Sequence, residues 1–215
     1  RRKTTNPGTD LRTTLLNHLK TLGISLPEEH LDETLHQAEN SSWSYLEFVE
    51  GLLSQPAEGR RQRALDRRIR EARFPAMKTL EEFDWQFNAD AIDRHQIEEL
   101  ATGDFIRRGD NFLMVGQSGV GKSHLLEGIG RRACMHGYRV RFTTSEELLA
   151  DLTASLADGT TSKRVRYWAR RELLIIDGFG FDRIEREHAQ YKVGQPCWLP
   201  LRNCRQKMLK ALLSQ

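Results

Sequence analysis

The nine residues "GQSGVGKSH", Gly116 to His124, are the part of this chain best equipped for chemistry. They fit the pattern G-x-x-x-x-G-K-[ST], with a strand-like run before them and a helical run after. Gly116, Gly119 and Gly121 let the backbone curl without Cβ clashes, so that successive N–H groups can point at phosphate oxygens. With Gln117, Ser118, Val120, Lys122, Ser123 and His124 they make the candidate nucleotide-binding set. The helix that follows adds its positive N-terminal end. Lys122 would reach the β- and γ-phosphates as a point charge. Ser123 would set its hydroxyl on Mg²⁺, an ion that keeps several waters and takes few protein ligands. A glycine-rich turn that binds nothing is the plain alternative, and the strand–loop–helix context argues against it.

Such a loop needs a second magnesium-side acid at the end of a neighbouring strand. In "ELLIIDGFG", Glu172 to Gly180, four aliphatic residues lead to Asp177. Asp177 joins Ser123 as a candidate metal ligand and Lys122 as a candidate catalytic residue. Taken alone it would read as a strand-end turn residue, so the phosphate loop carries the inference. Directly after it stands Gly178, where a second carboxylate would be useful for orienting an attacking water.

The elements that must position these groups change character along the chain. From Asp10 to about Phe74 the pattern is helical. Leu11, Leu15, Leu19 and Leu22 fall at helical spacing, and a second helix is predicted from Pro27 to Glu39. A third opens at Ser44, which with Glu47 forms a capping-box pattern. The arginine-rich segment "GRRQRALDRRIREAR" makes a fourth, with Leu65, Ile69 and Ala72 on one face and Arg60, Arg63, Arg67 and Arg70 on the other. Pro75 ends this region. A connector then carries Phe83, Trp85 and Phe87 at alternate positions, either pinning it to the next domain or lining a nucleotide base. After a helix over about Asp90 to Thr102, strands alternate with helices. "NFLMVG", "YRVRFTT" and "ELLIID" are the strands, with helices starting at Lys122 and Ser145. That order predicts an α/β fold, a parallel sheet with helical crossovers preceded by a small all-α domain.

Composition bounds the remaining classes. The chain has 215 residues, 38% hydrophobic and 29% charged, enough for one ordinary domain and a smaller one. No apolar run approaches the ~20 residues that span a bilayer, so a soluble protein is expected. The basic start "RRKTTNPGTD" lacks the apolar core of a secretory signal. Cys134, Cys197 and Cys204 form no C-x-x-C pair, which points to a reducing cytosol rather than a disulfide framework or zinc site. The net charge of +3 is uneven: the arginine segment, residues 59–73, holds seven arginines against Asp66 and Glu71. Such a patch suits neutralisation of nucleic-acid phosphates, without sequence readout. Its alternative is a solvated cationic face.

Several stretches together resemble the IstB-like family, ATP-binding helper proteins of bacterial insertion-sequence transposition in the DnaC-like helicase-loader branch of AAA+ ATPases. They are "SYLEFVEGLL", the arginine helix into "RFPAMKTLEEFDW", "FIRRGDNFLMVGQSGVGKSHL", "GYRVRFTTSEELLADL" and "LLIIDGFG". The resemblance covers roughly Leu11 to Glu187. It implies a P-loop AAA+-like core that binds ATP and Mg²⁺, self-assembles into oligomers on DNA and engages a partner transposase in the bacterial cytoplasm. The corresponding domains are residues 1–75 for assembly, partner and DNA contact, 76–193 for ATP binding, and a divergent tail over 194–215.

Two departures from the family pattern bear on function. Members usually carry a second aspartate where Gly178 stands, and Asp182, Glu185 and Glu187 lie beyond the "GFG" turn. Beyond "YKV", the tail "GQPCWLPLRNCRQKMLKALLSQ" no longer resembles the family, whose next strand would lie between the P-loop strand and that of Asp177. Its absence would leave a central gap with unpaired backbone on both sides. Either "CWLPL" improvises there despite Pro200, or the module is incomplete through a frameshift or truncation. Met208 to Leu213 could form a short amphipathic helix. Three readings follow: an ATP-dependent transposition helper, a nucleotide-binding assembly protein without turnover, and a small-molecule kinase. A helicase-loader-like protein of replication is a variant of the first. The kinase reading is weakest, since it gives the arginine helix no role.

Overall fold

A computed structural model of the chain describes residues 7–87 and 92–178, with side chains from residue 11. The stretch after Gly178, including Asp182, Glu185, Glu187, the "CWLPL" segment and the Met208 to Leu213 helix, lies outside the described residues. Packing divides the chain into two units, one running up to Ala64 and the other beginning at Leu65.

The regular structure of the first unit's described residues is helical. Helix α1, Pro7–Thr21, stops at Gly23, where a left-handed φ of +73° lets the Ile24 N–H reach back to the Leu19 carbonyl. Of the α1 leucine stripe only Leu19 is buried, while Leu11 and Leu22 are largely exposed. Helix α2, Glu28–Ser41, follows Pro27, has acidic residues in its first turn, and buries Leu31 and Thr34. Arg12 pairs with Asp32 between the two helices.

Helix α3, Tyr45–Ala72, starts from the predicted capping box: the Ser44 N–H donates to Glu47 Oε2 at 2.7 Å and the Glu47 N–H donates back to Ser44 Oγ. The two helices predicted here are a single one. α3 runs without a break through Gly51, Pro56 and Gly59 into the arginine-rich segment. Gly51 has a packing reason, since a Cβ there would stand 2.7 Å from the Trp43 ring. Leu65 and Ile69 lean on the core of the second unit and Ala72 is fully buried in it. Arg60, Arg63, Arg67 and Arg70 are all exposed, so the helix has the packing side and the cationic side its periodicity implies.

The second unit is α/β. Among its described residues two strands, β1 (Val140–Thr144) and β2 (Leu173–Asp177), run parallel, with Val140 opposite Leu173 and Thr144 opposite Asp177. Alternation sorts the side chains between two faces. Val140, Phe142, Leu173 and Ile175 join the main core beneath α6 (Lys122–Met135), with α4 (Arg94–Ala101) and α5 (Asp104–Arg108) supplying Ile97, Phe105 and Ile106. Leu174 and Ile176 face Leu148, Leu152 and Trp168 of α7 (Ser145–Ala157) and α8 (Thr161–Ala169) on the opposite side. Helices therefore cover both faces, as a parallel sheet requires. The crossover between β1 and β2 holds two helices where the sequence pattern predicts one.

"NFLMVG" differs from expectation. The run predicts a buried strand, but among the described residues it joins no ladder. Its side chains still alternate: Phe112 and Met114 pack on the core, whereas Leu113 and Val115 are 38% and 55% exposed. The apolar run is legible, but the pairing that makes a strand depends on a neighbour that the described residues do not supply. The helix expected over Asp90 to Thr102 begins later, at Arg94, where the Asp93 carboxylate accepts from the His95 and Gln96 N–H groups.

Candidate functional site

The phosphate loop leads directly into α6, with Gly121 as the residue before its first turn. Gly119 and Gly121 have φ values of +82° and +95°, a region that side chains rarely enter. At Gly119 an added Cβ would meet nothing within 4 Å, so conformation alone selects glycine. At Gly121 an added Cβ would also stand 2.6 Å from Phe83 Cε2, so space excludes a side chain as well. Residues 116–119 are exposed at the positive end of a 14-residue helix.

Lys122 is folded over this loop. Its Nζ donates to the carbonyls of Gly116 at 2.8 Å and Gln117 at 2.6 Å. Backbone carbonyl dipoles hold the ammonium where a phosphate oxygen would otherwise attract it. The His124 ring turns the other way. Its Nε2 lies 2.7 Å from the Thr79 carbonyl, which only accepts, so Nε2 carries the proton.

Asp177 closes β2. Helix α6 packs on both strands and returns to β1 through residues 136–139, so its N-terminus and the strands' C-terminal ends share one end of the sheet. The structure thus brings residues 116–124 and Asp177 to the same end. The Asp177 carboxylate accepts the Gly178 N–H at 2.8 Å. A serine hydroxyl and a carboxylate are the hard oxygen donors that Mg²⁺ takes, and the exposed loop leaves room for its waters. Gly178 itself has φ +70°, and its carbonyl accepts the Ser145 hydroxyl at 3.0 Å. Among the described residues a Cβ there would meet Ser145 Oγ, at 3.9 Å. The left-handed backbone at this position disfavours a side chain.

The connector, residues 74–85, lies along α6 as a strap, a feature the sequence pattern does not predict. Phe74 packs where Gly130 has no side chain, since a Cβ there would be 2.7 Å from its ring. Glu127, buried in α6, accepts the Ala76 N–H at 3.2 Å, and Arg131 one turn later donates to the Ala76 carbonyl at 3.3 Å. Leu80 fills the space over Gly128, where a Cβ would stand 2.5 Å from its Cδ2. Glu81 pairs with Arg132. Phe83 ends the strap against Gly121 and, edge-on, His124, with ring centroids 5.1 Å apart. Trp85 stands edge-on to Phe83 at 4.9 Å, beneath the Arg94 guanidinium, while Phe87 is 70% exposed. Phe83 and Trp85 therefore pin the connector. The alternating aromatics carry that signal in the sequence, and Gly121 and Gly128 are where Phe83 and Leu80 approach the backbone.

Other candidates sort by position. Arg68 turns inward towards Gly137 while its four neighbours on the cationic side stay exposed. A second basic run does not stand out in the sequence: Lys163, Arg164, Arg166 and Arg170 on and after α8 are exposed, with Arg164 paired to Asp151 at 3.2 Å. Arg171 lies over the Tyr167 ring. Buried Arg141 donates to the Glu71 carbonyl at the end of α3, and burial lowers its pKa. Cys134 is fully buried, and burial pushes its thiol up to about 11, so it is a packing residue. No helix among the described residues is long and apolar enough to cross a membrane.

Comparison with known proteins gives a consistent picture. Residues 17–193 match the model of the family described as IstB-like ATP binding protein. The chain is 35% identical over 175 residues to a Pseudomonas aeruginosa protein named for ATP binding in insertion sequence IS21, covering 81% of this chain and 64% of the relative. A Mycobacterium tuberculosis insertion-sequence protein named for ATP binding is 32% identical over 174 residues, 81% of this chain and 67% of that one. The Geobacillus stearothermophilus protein so named for IS5376 is 32% identical over 170 residues, 79% and 67% of the two chains. The chain thus spans about two thirds of the length of these relatives.

Proposed function

Since the chain belongs to the family of IstB-like ATP-binding proteins, we propose that it binds ATP with Mg²⁺ at residues 116–124 and Asp177 and serves as a helper of DNA transposition. The observation that carries the reading is the left-handed backbone of Gly119 and Gly121 at the mouth of α6, for which packing gives no reason at Gly119. Lys122 would exchange the carbonyls of Gly116 and Gln117 for phosphate oxygens, Ser123 and Asp177 would hold the ion, and His124 would contribute its backbone N–H, its ring being committed to Thr79. In this reading the second unit is an AAA+-like core within residues 76–193, residues 1–75 serve assembly and partner contact, and 194–215 form a divergent tail. The protein acts in the bacterial cytoplasm, assembles on DNA as an oligomer and engages a transposase. Arg60, Arg63, Arg67 and Arg70 contact DNA phosphates without reading sequence.

Gly178 favours a second reading, nucleotide binding without turnover. No carboxylate follows Asp177 in the described residues to orient a water, whereas the groups that would hold phosphate and ion are all present. Calorimetric titration with Mg-ATP tests the main reading. The protein should bind, and Lys122→Ala should weaken binding at least ~10-fold, the worth of a charge-assisted phosphate contact. Equal affinity in the two proteins would remove the loop from nucleotide binding.

A further inference from the structure

We propose that Phe83 is a positioning residue of the phosphate loop, so that nucleotide binding is coupled to docking of the connector, residues 74–85, along α6. The inference rests on ATP binding at residues 116–124.

Gly121 must hold a left-handed backbone for the loop to curl, and Phe83 occupies the space beside its α-carbon. Buried to 8% exposure, the ring is also edge-on to His124, the third residue of α6. His124 in turn ties the same turn to the Thr79 carbonyl. Three consecutive features of the loop's exit, Gly121, the first turn of α6 and the His124 ring, are therefore braced by the connector. The brace continues along the strap through Leu80 on Gly128 and Ala76 between Glu127 and Arg131.

A loop whose binding conformation needs the connector in place binds phosphate only with the connector docked. Linkage then requires the reverse: bound nucleotide must hold the connector down by the same factor. Phe83 itself touches no phosphate. It acts through Gly121.

Arg73 and Lys78 are exposed residues within and beside the strap, and Lys78 directly precedes Thr79, so tryptic cleavage reports connector opening. In the intact protein, saturating Mg-ATP should slow cleavage after Lys78 several-fold. Phe83→Leu should weaken ATP binding about 5- to 10-fold and shrink that protection. Leu152→Ala, a buried change on the opposite face of the sheet, should lower stability while leaving ATP affinity within about 2-fold. Binding of ATP by the wild-type protein without protection at Lys78 would overturn the coupling and leave the nucleotide reading standing. Equal loss of affinity in Phe83→Leu and Leu152→Ala would also overturn it, by reducing Phe83 to general core packing. Absence of ATP binding in the wild-type protein would remove both readings.

Discussion

The two halves of the candidate site, the loop at residues 116–124 and the strand end at residues 177–178, are built to different standards. At the loop every local choice agrees: left-handed glycines where curvature demands them, a helix N-terminus behind them, and an ammonium already in place. At the strand end Asp177 is held by the Gly178 N–H, but Gly178 turns the backbone away at φ +70° and fixes that turn through Ser145. The contrast teaches that holding a nucleotide and hydrolysing it are separable demands. The first needs fixed dipoles and charges, and the second needs one more group aimed at water.

The largest expected effect breaks the stronger half. Gly121→Ala would place a methyl group 2.6 Å from Phe83 in a backbone region that costs an L-residue about 1–2 kcal/mol. Loss of detectable ATP binding, together with a lowered melting temperature by circular dichroism, is the outcome. A variant with native affinity would show that the loop does not need its present shape. Next, alanine at Arg60, Arg63, Arg67 and Arg70 tests whether the proposed DNA surface is independent of both halves. The slope of log affinity against log salt should fall by up to about 4, at roughly 0.9 for each phosphate no longer neutralised, with ATP affinity unchanged. An unaltered slope would return those arginines to solvent. The smallest effect sharpens the weaker half. Gly178→Asp should leave ATP affinity within about 2-fold and cost about 1 kcal/mol of stability from the left-handed backbone. A gain of phosphate release in that variant would identify the missing carboxylate as what limits turnover, while tighter ATP binding would contradict the separation of the two demands.

Legibility in the sequence follows the range of the interactions. The phosphate loop, the Ser44 and Glu47 cap, the starts of α6 and α7 and the two faces of the arginine helix are local patterns, and each stands where the residues place it. Features that depend on distant neighbours are not legible. The predicted third and fourth helices are one, since α3 runs on through Gly51, Pro56 and Gly59. The alternation of Phe112 and Met114 with Leu113 and Val115 suggests a strand, but a ladder requires a second segment in register. The strap is hidden for the same reason: Ala76 and Glu127 meet across fifty-one positions of chain. The alternating Phe83 and Trp85 suggest a pinned connector, and the glycines at 121, 128 and 130 are where it lies close against α6 and its first turn.

The posture of Lys122 has a thermodynamic consequence. Its ammonium already has two short partners, the carbonyls of Gly116 and Gln117. A phosphate entering the loop therefore performs an exchange, not an addition, and those two bonds are surrendered as the new ones form. The net heat released will be smaller than a count of the final bonds suggests. In compensation, the side chain does not start from free rotation, so little of its disorder remains to be lost. The loop thereby gives up enthalpy for readiness, with its cation already tethered to the backbone that surrounds it.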